Sequence, residues 1–126
     1  MDERKRYEAG MKMRREVLGD AYVDQVQKKV TAFNEEFQDL ITRYAWGDIW
    51  TRPGLDRMTR SLITIAMMVA LNREAELRLH IRAAENNGVT RDEIMECLMQ
   101  TAIYCGVPAA NEAFHIAQEV FGSSAI

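Results

Sequence analysis

Apolar side chains along this chain recur mostly at intervals of three and four residues, and no run of alternating β-branched residues interrupts them. Phe33, Phe37, Ile41 and Tyr44, spaced by four, four and three, fall on one side of a helix, and Thr31 is placed to cap it. The same period predicts a first helix over Glu3 to Leu18, stopped at Gly19-Asp20, and a short second one over Ala21 to Lys29. Beyond Gly47 the stretch "DIWTRPG" reads as a loop, because Pro53 disfavours helix at Arg52 and Gly54 adds turn freedom. Asp56 then opens a helix through Leu71. Its uncharged segment, Ser61 to Asn72, is expected to be the most buried of all.

Three more boundaries follow from local chemistry. Asn72-Arg73 breaks the pattern before a helix bearing Glu76 and His80, and Asn86-Asn87-Gly88 suits a left-handed cap at its end. "TRDE", Thr90 to Glu93, has the spacing of a capping box and starts a helix to about Tyr104. Gly106 and Pro108 precede a terminal helix reaching Phe121, with Pro108 in its first turn. Roughly seven helices and no strand make the class all-α, a compact multi-helix bundle of one domain over residues 1–126.

Composition changes this picture little, but it excludes several functions. With 48% hydrophobic and 28% charged residues the chain is rich enough in apolar groups to fold. The net charge is -3 and the basic residues are interspersed with acidic ones, which argues against a nucleic-acid partner. The 12-residue uncharged run is too short to cross a bilayer, so no membrane partner is expected. The N-terminal stretch lacks the apolar core of a secretory signal, and a cytoplasmic location is the expectation. Cys97 and Cys105, eight apart, fit neither a redox pair nor a zinc site and read as two buried small side chains. A chain this short commonly completes its working form by homo-oligomerisation.

The candidate chemistry centres on the second half. Glu76 and His80 stand four residues apart on one helix face, which Ala83, Ala84 and Asn87 continue. A carboxylate beside an imidazole fixes its tautomer and raises its pKa, as proton transfer near neutral pH requires, although exposed pairs of this kind often do nothing chemical. Arg52, Arg57, Arg60, Arg78 and Arg82 supply guanidinium groups suited to an anionic small molecule, or else form a solvated face with Glu74, Glu76 and Glu85. Trp46 and Trp50, also four apart, close a core or flank a pocket. His115 reads as a core or interface residue, and the methionines Met67, Met68, Met95 and Met99 as core.

The segment from Tyr44 to Phe114 contains "AWGDIWTRPGLDRMTRSL", "ELRLHIRAAENNGVTRDEI" and "YCGVPAANEAF", in that order. It resembles the 4-carboxymuconolactone decarboxylase family, within the alkylhydroperoxidase D-like superfamily. The resemblance implies an alkylhydroperoxidase D-like helical fold and a carboxy-lyase of the protocatechuate branch of the β-ketoadipate pathway. It further implies a small dicarboxylate lactone as substrate, 3-oxoadipate enol-lactone as product, no cofactor and no metal, and a homo-oligomer, hexamer or trimer. On that reading His80 and Glu76 are catalytic, and Arg52, Arg60, Arg78 and Trp46 bind substrate. The superfamily's thiol peroxidases carry CxxCxxxH with a glutamate on the preceding helix. Aligned at His80, the two cysteine positions fall at Arg73 and Glu76 and the glutamate at Ser61, so both thiols are absent. The competing readings are a thiol-dependent peroxidase or reductase of this fold, a non-catalytic helical module, and a relative acting on a related lactone.

Overall fold

The computed structural model describes residues 2–124, and among them it contains helices and turns and no strand. The chain forms two compact units, Met1–Arg57 and Met58–Ile126.

In the first unit α1 spans Glu3–Leu18, α2 Asp20–Lys28 and α3 Glu35–Ile41, and α3 runs directly into a π-helical segment, Thr42–Ile49. Asp2 caps α1 by accepting from the Lys5 amide at 2.8 Å. Gly19 ends α1 at φ 92°, a backbone state open to glycine, and the Arg15 guanidinium then reaches Asp20 at 3.0 Å and Asp24 at 2.9 Å on α2. α1 packs against the π-helical segment, and Val17, Val23 and Trp46 are buried in this unit.

Two expectations fail here. Thr31 does not cap α3. Its amide donates to Asn34 Oδ1 at 2.7 Å and its hydroxyl accepts from the Phe33 amide, closing a turn that delays the helix to Glu35. The expected loop also starts later, since Asp48 and Ile49 belong to the π-helical segment, whose wider turn is continued by a Trp50 amide bond to the Ala45 carbonyl. The Phe33, Phe37, Tyr44 stripe is helical in spacing yet faces outward, with Phe33 100% exposed.

In the second unit α4 spans Arg57–Leu71, α5 Glu74–Asn86, α6 Arg91–Tyr104 and α7 Val107–Ser124, with α7 packed on both α5 and α6. Ile65 of α4, Ile81 of α5 and Ile94 and Leu98 of α6 are sealed from solvent and anchor a core that α7 completes with Ala113, Ile116, Ala117 and Val120. Truncating any of the four to alanine costs about 2–5 kcal/mol. Asn72 takes φ 57° between α4 and α5, with its own amide on Val69 O and the Arg73 amide on Met68 O. Gly88 repeats the device after α5 at φ 90°, and the Thr90/Glu93 capping box forms in both directions, at 3.1 and 2.9 Å.

α4 is not the wholly buried helix its apolar run suggests. Ser61, Ile65 and Val69 turn inward, whereas Ile63, Met67 and Leu71 are exposed. Of the four methionines expected in the core, Met67, Met95 and Met99 are exposed and only Met68 packs against it. Cys105 and His115 are exposed as well, and Cys97 is half-buried. Periodicity assigns residues to a common face, but a second surface must cover that face before it is buried.

Candidate functional site

α5 positions the candidate chemistry. Leu77, Ile81 and Ala84 bury one side of it, which fixes the rotation of the helix and leaves Glu76 exposed and His80 half-buried at the edge of the packed face. Burial pushes the His80 imidazole below its ordinary value, and this outweighs the neighbouring Glu76 carboxylate, which pulls the other way. The expected upward shift is therefore reversed, and His80 is neutral at pH 7. Its Nδ1 is enclosed and has no hydrogen-bond partner among the described residues, and no hydrogen bond joins it to Glu76. A neutral imidazole can present one N–H to a developing oxyanion, or one lone pair to a proton, without first losing a charge.

The arginines separate. Arg78, on α5, forms an ion pair with Glu119 of α7 at 2.8 Å. Arg60 lies half-buried on α4, one residue before Ser61, and Ser61 accepts a long hydrogen bond, 3.4 Å, from the Asn87 side chain of α5. That contact brings position 61 to the α5 line of Glu76, His80 and Asn87. The Ser61–Asn87 link was missed from sequence, although a serine inside an apolar helix run is itself a signal. Arg52 is exposed in the loop of the first unit, where Trp46, 7% exposed, stacks on Trp50 with ring centres 5.0 Å apart. Arg57 pairs with Glu16 at 2.7 Å. Glu76, His80 and Arg78 thus lie on α5 and Arg60 on α4 of the second unit, with Arg52 and Trp46 in the first, and Arg78 turns to α7 and not to His80.

The cavity of about 570 Å³ between α4 and α6 contains none of these residues; Leu62, Ala66, Glu96, Cys97, Tyr104 and Cys105 are among those lining it. Cys97 donates its thiol to the Leu62 carbonyl at 3.5 Å, and burial pushes its pKa up. A thiol held protonated in this way is a poor nucleophile, which counts against peroxidase chemistry. No group of three or more metal-ligating side chains converges among the described residues.

An all-helical chain with a half-buried neutral histidine and no thiolate pair has the makings of a carboxy-lyase of this fold. A family model, the carboxymuconolactone decarboxylase family, matches residues 35–119, and the chain belongs to that family. It is 50% identical over 121 residues to 4-carboxymuconolactone decarboxylase of Acinetobacter baylyi, covering 96% of this chain and 90% of the relative. It is 44% identical over 116 residues to nitrosuccinic acid decarboxylase of Metarhizium robertsii, covering 92% and 81%. A 48-residue stretch, 38% of this chain, is 60% identical to the whole of a 4-carboxymuconolactone decarboxylase chain from Pseudomonas putida.

Proposed function

We propose that this enzyme decarboxylates 4-carboxymuconolactone to 3-oxoadipate enol-lactone without a cofactor, in the cytoplasm and as a homo-oligomer, trimer or hexamer. Half of all aligned positions are shared with the Acinetobacter baylyi decarboxylase over nearly the whole chain, and this is the observation that carries the substrate.

The substrate contains its own electron sink. The departing carboxylate sits on the carbon bonded to the ring oxygen, next to the ring double bond. When the C–C bond breaks, its electron pair moves through that double bond into the lactone carbonyl. CO2 leaves, a dienolate remains, and one proton added next to the carbonyl gives the enol-lactone. The protein's tasks are to hold a dianion, to stabilise charge on the lactone oxygen and to admit one proton.

His80 takes the second task. A neutral imidazole at the edge of the packed face of α5 suits a hydrogen bond to the oxygen that becomes negative, and Glu76 biases the ring electrostatically. Arg60 is the preferred carboxylate anchor because its neighbour Ser61 meets Asn87 on the helix that carries His80. The relative named for decarboxylating nitrosuccinic acid supports the oxyanion task. A nitro group also accepts the electron pair on oxygen, so both reactions ask for stabilisation of an oxyanion. Exposed Ile63, Met67, Met95, Met99 and Ile103 on α4 and α6 support assembly of copies, because so much apolar surface is unfavourable in water.

The test is to supply freshly generated 4-carboxymuconolactone and follow CO2 and enol-lactone. Formation of both by the wild type, with a loss of about a hundredfold or more in His80→Gln at unchanged fold, is the expected result. Absence of turnover with this lactone, with turnover of nitrosuccinate, would transfer the substrate assignment to the second relative.

A further inference from the structure

Phe33 lies wholly in solvent, yet the turn that carries it is tightly held. The Thr31 amide donates to Asn34 Oδ1 at 2.7 Å, and Asn34 Nδ2 donates to the Lys29 carbonyl at 3.3 Å. The Asn34 and Glu35 amides both donate to the Thr31 carbonyl, at 3.2 and 2.9 Å, and the Phe33 amide is taken by Thr31 Oγ1 at 3.3 Å. Polar contacts thus fix the backbone on either side of a ring that buries no apolar surface in its own chain. A rigid aromatic on a preordered turn is what interfaces use as an anchor, because little freedom is lost when it docks. Lys28 and Lys29, both exposed, precede the ring, Glu35 and Glu36 follow it, and Phe37 and Leu40 continue the apolar surface along α3.

The second unit holds a cavity of matching character. The space of about 570 Å³ between α4 and α6 has Leu62, Ile63 and Ala66 on one wall and Cys97, Thr101 and Tyr104 on the other. Cavities of about 300–1,000 Å³ enclose small organic molecules, so an aromatic side chain enters this one with room for its neighbours. The charged side chains among the described residues that line it are Asp92, Glu93 and Glu96, all acidic. They repel a dianionic lactone and attract an apolar group with cations beside it. Ile63 and Tyr104 line the cavity and remain exposed, Tyr104 at 83%, so the apolar surface runs out past the mouth. A protein segment covers such a margin, and a small molecule leaves it wet.

We propose that Phe33 of one copy of the chain inserts into the α4/α6 cavity of a second copy, with Lys28 and Lys29 beside it meeting Asp92 and Glu96. The contact presupposes the homo-oligomer proposed for this enzyme and names the surfaces that meet. Knob and hole are different patches, so each copy offers both and the contact runs head to tail, the arrangement that closes into a ring.

The test uses two variants of the full chain. Phe33→Asp removes the knob, and Ala66→Trp fills the hole. Native mass is read by light scattering at matched concentration, and folding by circular dichroism. The expected result is a multimeric wild type, each variant folded but smaller, and larger particles on mixing the two, because one Phe33 and one open cavity remain between them. Should Ala66→Trp lose its helicity, Glu96→Arg, at an exposed position, takes its place with the same outcomes. A monomeric wild type overturns both this contact and the assembly reading. Undiminished multimers in both variants overturn the contact and leave assembly standing. A loss of mass in Ala66→Trp alone gives the cavity a different occupant, a loss in Phe33→Asp alone gives Phe33 a different seat, and failure to reassociate on mixing uncouples the two. Each of these three also overturns the proposal.

Discussion

Gly10 of α1 and Gly47 of the π-helical segment let the two backbones touch. A Cβ on Gly10 would stand 2.9 Å from the Gly47 nitrogen and overlap the Thr42 carbonyl oxygen, and a Cβ on Gly47 would meet the Arg6 carbonyl. Glycine in mid-helix costs about 1 kcal/mol relative to alanine, so its presence at position 10 is explained by the crossing and not by local preference. Gly10→Ala should therefore destabilise the protein, by about 1–3 kcal/mol after the gain in helix propensity, read as a lowered denaturation midpoint at unchanged m-value. A neutral or stabilising substitution would mean that the contact relaxes without penalty.

His80 ties stability and activity to acid. Its folded pKa is depressed below the unfolded value, so the unfolded chain binds the proton more readily. Stability is then fully present above the unfolded value of about 6.5 and is lost as pH falls from there toward the depressed folded value. Thermal midpoints measured from pH 7.5 down to 5 should fall, and His80→Gln should flatten this dependence. If neutral His80 is the working form, kcat/KM should be level through pH 7 with its acid limb below 6.5. A rate that instead declines as pH rises through 6.5 would make the imidazolium the active form.

Arg60 and Arg78 should part company under conservative replacement. Arg78 faces Glu119 in a pair that is well exposed on the Glu119 side, and Lys can keep such a pair, so Arg78→Lys should change KM less than about twofold. Arg60→Lys removes paired donors from the preferred substrate anchor, and KM should rise roughly tenfold, the equivalent of about 1.4 kcal/mol. Steady-state kinetics on the lactone distinguish them, and the reverse ranking would move the anchor to Arg78.

Met67 and Met99 stand exposed on α4 and α6. If copies of the chain assemble through these faces, Met67→Glu or Met99→Glu places a charge in an apolar interface and should reduce the oligomer to smaller species in light scattering. Assembly unchanged by both substitutions would place the interface elsewhere.

Where a local rule decides, the sequence was readable. α1 ends at Gly19 because only a positive φ turns the chain there, and the Thr90/Glu93 box and Gly88 cap announce themselves within four residues. The outward faces of Phe33, Met67 and Met99 were not readable, because periodicity says which side chains share a face and leaves open what covers it. The candidate site divides in the same way. That Glu76 and His80 share a face follows from spacing, but the direction of the His80 shift depends on how deeply α5 is packed. Glu119, 41 positions from Arg78, gives no local sign of being its partner. Arg14 could have been noticed as a cation on the Gly10–Val17 face. Its burial shows only in three dimensions.

The π-helical segment gives the first unit a register that depends on residue count. Each of its turns holds one residue more than an α-helical turn, and within it Gly47 meets α1 while Trp46 finds Trp50. Removing a single residue between Thr42 and Ile49 would let the segment tighten into an ordinary helix and rotate everything after the cut by about a quarter turn or more. Tryptophan pair and glycine crossing cannot both survive that rotation. Side-chain substitutions in this stretch are thus the mild perturbation, and a change in its length is the severe one.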